Sequence, residues 1–85
     1  MGLEHPSDDI DRAIGNELRA ARARCGLTRQ QLADTSGVAP STIQRFENGE
    51  RSPDIRQLFA LCDALNTSPQ ELIAQAIEFL KRPRQ

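Results

Sequence analysis

The chain has 85 residues, 38% of them hydrophobic and 27% charged, with three Phe and neither Trp nor Tyr. A chain this short buries only about 60 to 65% of the surface its unfolded form exposes, which leaves room for one modest core and no second domain. It is too rich in Leu, Ile and Ala to be disordered, and too poor in aromatics for an aromatic-lined catalytic or carbohydrate pocket. The formal net charge of −1, eleven Lys plus Arg against twelve Asp plus Glu, argues against a nucleic-acid partner only until the charges are located.

Located, they are segregated. Residues 1–11 carry Glu4, Asp8, Asp9 and Asp11 and no base, net −4, while residues 12–56 carry eight Arg against five acids, net +3. Residues 57–80 are net −3, and the tail, with Lys81, Arg82 and Arg84, is net +3. A basic middle is therefore masked by the global count. Cys25 and Cys62 form no CxxC or Cys/His cluster and there is one His, so no metal site and no cofactor is proposed; both thiols fall among apolar residues and are expected in the core. No run reaches the apolar length of a signal-peptide core or a spanning helix, so the expectation is a cytoplasmic protein with no membrane partner.

Breakers divide the chain into five periodic segments. Residues 1–8 are polar, contain Pro6 and lack periodicity, and are read as a mobile arm. Helix one is expected from about Asp9 to Cys25, with Ile10, Ile14, Leu18, Ala21 and Cys25 spaced on one face and Gly26 ending it. Thr28 opens a second helix with a T-x-x-Q capping box to Gln31, and Leu27 and Leu32 occupy the positions of a hydrophobic staple. That helix ends at Ser36 before Gly37. Pro40 stands where a first helical residue would, so helix three spans about Pro40 to Glu47 and stops at Asn48-Gly49. Asp54 and Gln57 form a second box, and helix four is expected to bury Ile55, Leu58, Leu61, Cys62 and Leu65, with Asn66 as a left-handed cap. Ser68-Pro69-Gln70-Glu71 opens helix five, which runs to about Arg82 before Pro83. No segment alternates with period two, so the fold class is all-α.

Two short helices, Thr28 to Ser36 and Pro40 to Glu47, joined by a glycine-containing turn have the spacing of a helix-turn-helix. Stepping about 100° per residue along the second puts Ile43, Phe46 and Glu47 on the core side. The opposite side presents Ser41, Gln44, Arg45 and Asn48, hydrogen-bonding side chains suited to base edges and phosphates. Arg45 is the sharpest candidate, because a guanidinium pairs bidentately with guanine O6 and N7.

The stretch from Leu18 to Leu72 carries LRxxRxxxGLT, QLA, GV-x-x-STI, ENGxRxP and LxxLCxAL in register and without gaps. It closely resembles the Cro/cI-type (Xre) helix-turn-helix domain of phage repressors and bacterial regulators. The resemblance implies a compact five-helix lambda-repressor-like domain at residues 9–75, with its motif at 28–47 and residues 76–85 forming the end of the last helix and a basic tail. It implies base contacts from Pro40, Ser41 and Arg45, beside Gln44 on the same face. Phosphate contacts are implied for Arg29 and the capping Thr28 beside it, and for Asn48 and Arg51. Pro40 departs from the polar residue common at its position, which restricts it to van der Waals contact. Arg22 and Glu47 match an ion pair tying the first helix to the end of the recognition helix, and both lie at the border of an apolar stripe, where each would be poorly solvated without the other. Arg19 and Arg24 lie off helix one's stripe and read as a solvated face; Arg56 is a further phosphate candidate.

Helix five carries more apolar surface than one face of a small domain consumes. Leu72, and with it Ile73, is expected in the core, whereas Ala76, Ile77, Phe79 and Leu80 are expected to form an isologous dimer contact. The leading expectation is a homodimeric repressor that binds a pseudo-palindromic site on double-stranded DNA and has no enzyme activity. The alternative is an antitoxin or adaptor that uses the same fold to bind a partner protein such as a toxin. An enzyme finds no support, since there is no paired His, no Gly-rich phosphate loop followed by Lys and no nucleophile motif.

Overall fold

The computed structural model describes residues 7–82, and their side chains from Asp9 onward. Five helices follow one another: α1 (Ser7–Arg24), α2 (Arg29–Ser36), α3 (Pro40–Glu47), α4 (Ile55–Ala64) and α5 (Pro69–Lys81). Among the described residues there is no strand, as the absence of period-two patterning requires. Residues 1–6 of the expected arm, and the tail from Pro83, lie outside the described residues. Helix α1 begins earlier than expected, since Ser7 and Asp8 already belong to it.

Local chemistry sets the helix starts. The Thr28 hydroxyl accepts from the Gln31 N–H at 3.0 Å while the Gln31 side chain accepts from the Thr28 N–H at 2.8 Å, a complete capping box. Asp54 and Gln57 repeat it at the start of α4. Ser68 accepts from the Glu71 N–H at 3.0 Å, and Pro69 follows at the first helical position. Proline also opens α3, where the capping residue Ala39 supplies no side-chain bond. Gly37 closes α2 in the left-handed region at φ 79°, its N–H bonded to the Ala33 carbonyl at 2.8 Å. Asn66, at φ 59°, makes the corresponding turn after α4.

The core is one cluster drawn from every helix: Leu18 and Ala21 of α1, Leu32 and Ala33 of α2, Val38, Ile43 and Phe46 around α3, Leu58, Leu61, Cys62 and Leu65 around α4, and Leu72 of α5. The long α1 packs against both α5 and α3. Its crossing of α3 is close enough that a Cβ on Gly15 would lie 2.1 Å from the Phe46 carbonyl oxygen and 3.0 Å from that of Glu47. Only glycine fits there.

Four burial expectations are overturned, the first being Ile73, which is 43% exposed rather than in the core beside Leu72. Cys25 is exposed, because α1 ends at Arg24 and the thiol turns outward to donate to the Leu65 carbonyl at 3.3 Å; Cys62 alone is a core thiol. Ile55 is 69% exposed although it lies within about 20° of the buried Cys62 around α4, since it stands at the first position of the helix, almost a full turn before the first buried residue, Leu58. Ala76 is 4% exposed, because α5 packs against α1 and its buried stripe extends past Leu72.

Candidate nucleic-acid interface

The inner face of α3 is locked. Ile43, Phe46 and Glu47 are buried, while Ser41, Gln44, Arg45 and Asn48 are exposed and Pro40 is half-buried. The 100° rotation therefore separates core from solvent as the sequence predicts, and the outward side carries no large apolar group. Arg45 approaches Glu50 at 3.8 Å across two side chains that are each more than half exposed. Such a pair is worth about 0–1 kcal/mol and leaves the guanidinium available to a stronger acceptor. Arg51 is also exposed, its guanidinium carbon 5.9 Å from the centre of the Phe46 ring.

Glu47 ties this face to the rest of the domain. Its fully buried carboxylate accepts two hydrogen bonds from Arg22, Nε to Oε2 at 2.7 Å and Nη2 to Oε1 at 2.9 Å, while Arg22 Nη1 donates to the Leu27 carbonyl at 2.9 Å. The carboxylate holds the Arg22 guanidinium above its ordinary pKa by accepting its hydrogen bonds, against the opposing effect of burial. The expected ion pair is present, but it is not isolated. Arg29 Nε donates to the same Oε1 at 3.1 Å, and Arg19 Nε lies 3.8 Å from it. Arg19 Nη2 also donates to the Glu47 carbonyl at 3.0 Å and to Asn48 Oδ1 at 3.4 Å, satisfying the open C-terminal end of α3.

Sequence reasoning left Arg19 as a solvated side chain, because its partners lie 28 and 29 residues away. The usable signal was its spacing, three residues before Arg22 and thus on an adjoining face of α1. Arg29 remains 39% exposed at the first turn of α2 but is anchored to Glu47. Thr28 spends its hydroxyl on the cap of α2. The loop after α3 is fastened to α1 by a hydrogen bond from the Ser52 hydroxyl to Asp11. No His/Cys/Asp/Glu group among the described residues is arranged to hold a metal ion, and no helix there is long and apolar enough to cross a membrane.

Away from α3 in the sequence, four large apolar side chains are exposed: Ile55 and Phe59 (59% exposed) on α4, and Ile73 (43%) and Ile77 (46%) on α5. Of the residues expected at a dimer contact, Ile77 is exposed, Phe79 and Leu80 are half-buried, and Ala76 is in the core. The apolar surface thus lies one step around α5 from where the sequence put it and includes Ile73.

Known proteins resemble this chain in sequence and fold. A helix-turn-helix family model matches residues 18–72. The competence pilus inhibition repressor of Acinetobacter baylyi is 38% identical over 63 residues, 74% of this chain and 57% of its own. Antitoxin HipB of Escherichia coli K12 is 29% identical over 76 residues, covering 78% of this chain and 86% of its own. Among solved structures, the clp gene regulator ClgR of Corynebacterium glutamicum superposes with a TM-score of 0.80 at 30% identity, over 84% of this chain and 76% of that one. With five helices in this order, a buried inner and polar outer face on α3, and a family match over most of its length, the chain belongs to the helix-turn-helix family of non-enzymatic, DNA-binding transcriptional regulators.

Proposed function

We propose that the protein is a sequence-specific repressor that binds double-stranded DNA as a homodimer, with α3 in the major groove of each half of a pseudo-palindromic operator. The observation that carries this reading is the outer face of α3, where Ser41, Gln44, Arg45 and Asn48 are exposed on a helix whose other side is buried. Arg45 reads a guanine, Ser41 and Gln44 contact neighbouring base edges, and Pro40 contributes van der Waals contact only. Asn48, Arg51 and Arg29 hold phosphates on either side, with Thr28 fixing the start of α2. Repression follows from occlusion of the promoter.

Dimerisation runs through α5, by Ile73, Ile77, Phe79 and Leu80, so that two recognition helices face half-sites about 34 Å apart. The small number of outward cations per protomer favours such pairing, since few phosphate contacts give weak binding to one half-site. Selection from random duplex DNA followed by mobility shift tests the reading. A recovered two-fold site, with preference lost in Arg45→Ala and Ser41→Ala, is expected; binding insensitive to salt, or unaltered preference in both variants, refutes it.

A second reading, an antitoxin that also engages a partner protein, draws on the likeness to HipB and on the exposed Ile55 and Phe59, which lie on a different helix from the proposed dimer contact. Loss of a co-purified partner on Phe59→Asp, with DNA binding intact, separates it from the first.

A further inference from the structure

The cluster around Glu47 holds more positive charge than an ion pair needs. Three guanidinium groups, from Arg19, Arg22 and Arg29, share one carboxylate, which leaves two positive charges uncompensated at the junction of α1, α2 and the end of α3. Arg22 is the structural member, 16% exposed at its side chain, with all three of its nitrogens donating to protein acceptors. Arg19 and Arg29 are different. Their side chains are 46% and 39% exposed, and Arg19 Nη1 and both Nη atoms of Arg29 donate to no protein acceptor among the described residues. Their Nε atoms lie 3.8 and 3.1 Å from the same carboxylate oxygen, so they stand within 7 Å of each other. That separation suits one oxyanion bridging two forked donors. Asn48 adds a third donor: its Oδ1 accepts from Arg19, and its Nδ2 donates to no protein acceptor among the described residues.

We propose that Arg19 and Arg29, drawn together by the Glu47 carboxylate, form a two-guanidinium clamp for one backbone phosphate of the DNA, and that Arg19 orients the Asn48 amide to donate beside it. The proposal rests on the DNA-binding reading above and adds to it a phosphate-binding residue on α1, outside the helix-turn-helix itself. Glu47 is then a positioning residue for the clamp. The clamp reads no base, so it sets the height and register of α3 on the duplex without altering which sequence is preferred.

The test uses the full chain with Arg19→Gln and Arg19→Lys, a duplex bearing the selected site and an unrelated duplex of the same length. For Arg19→Gln the expected result is a loss of roughly five- to tenfold at 0.1 M salt on both duplexes, with the slope of log affinity against log salt smaller by about one per protomer. Arg19→Lys keeps the slope. Replacing single phosphates of the selected site by neutral methylphosphonates locates the contact. One position should weaken the wild type several-fold and Arg19→Gln distinctly less, since Arg29 still holds that phosphate, a pairwise effect that loss of helix capping alone does not produce. Equal sensitivity of both proteins at every position, or an unchanged salt slope in Arg19→Gln, overturns the clamp. If Arg45→Ala still abolishes site preference in that event, the DNA-binding reading survives; a wild type without salt-dependent duplex binding loses both.

Discussion

Helices α3 and α5 begin alike and end with unlike outer faces. Each opens on a proline at its first position, each buries one stripe, and each packs against α1. Beyond the buried stripe they diverge: α3 turns Ser41, Gln44 and Arg45 outward, whereas α5 turns out Ile73 and Ile77. The inner faces are fixed by the shared core, so they tell only that the domain folds. The outer faces carry no such constraint, and there a choice of residue records what the helix meets. Leaving two isoleucines nearly half exposed forgoes burial at about 25 cal/mol for each Å² of apolar surface. A pairing contact recovers that term.

The contrast can be broken at its inner side first. Glu47→Ala removes the common acceptor of three arginines and leaves Arg22 poorly solvated among like charges, so urea unfolding is expected to show a loss of about 3–5 kcal/mol. Gly15→Val drives a side chain into the Phe46 carbonyl at the α1–α3 crossing, and a loss of about 1–3 kcal/mol is expected with α3 displaced. The outer side of α3 should behave in the opposite way. Arg45→Ala is expected to leave unfolding within about 0.5 kcal/mol of wild type while costing about 1–3 kcal/mol of discrimination between selected and altered sites in mobility shifts. On α5, Ile73→Asp combined with Ile77→Asp should halve the sedimenting mass with little change in unfolding; an unaltered mass would place the dimer contact elsewhere.

The smallest expected effect concerns pH. Burial pushes the Cys62 thiol above its ordinary range, so the unfolded chain gives up that proton first and stability falls as pH rises past the ordinary thiol range. Urea midpoints at about pH 7 and pH 9.5 should therefore diverge more for wild type than for Cys62→Ala. The Arg22 shift is also upward, so its contribution is fully present throughout that interval and is lost only at still higher pH.

Much of this was legible in the residues. Capping chemistry is local, and the boxes at Thr28 and Asp54 and the proline starts at Pro40 and Pro69 fix their helices to within a residue. The rotation of α3 follows from 3.6 residues per turn, and the Arg22–Glu47 pair from the family pattern. What failed involved where one helix leaves another uncovered. Ile55 and Ala76 both have the periodicity of core residues, yet the start of α4 leaves one in solvent and α1 covers the other. Arg19 was missed for a related reason. A helix face that looks solvated in isolation becomes a junction when the end of another helix arrives beside it.

The glycine at position 15 bears on how the protein meets a duplex. Where most helices are cushioned by a layer of side chains that can change rotamer, α1 here lies against the main-chain oxygens at the end of α3, and Gly49 repeats the arrangement with the α1 backbone at Arg12. Such a seat has almost no travel. The reading helix therefore reaches DNA at an angle set before the encounter, giving up little freedom on docking. Accommodation then falls to the DNA, so on the proposed operator base steps between the half-sites that bend or twist readily are favoured at positions no side chain touches.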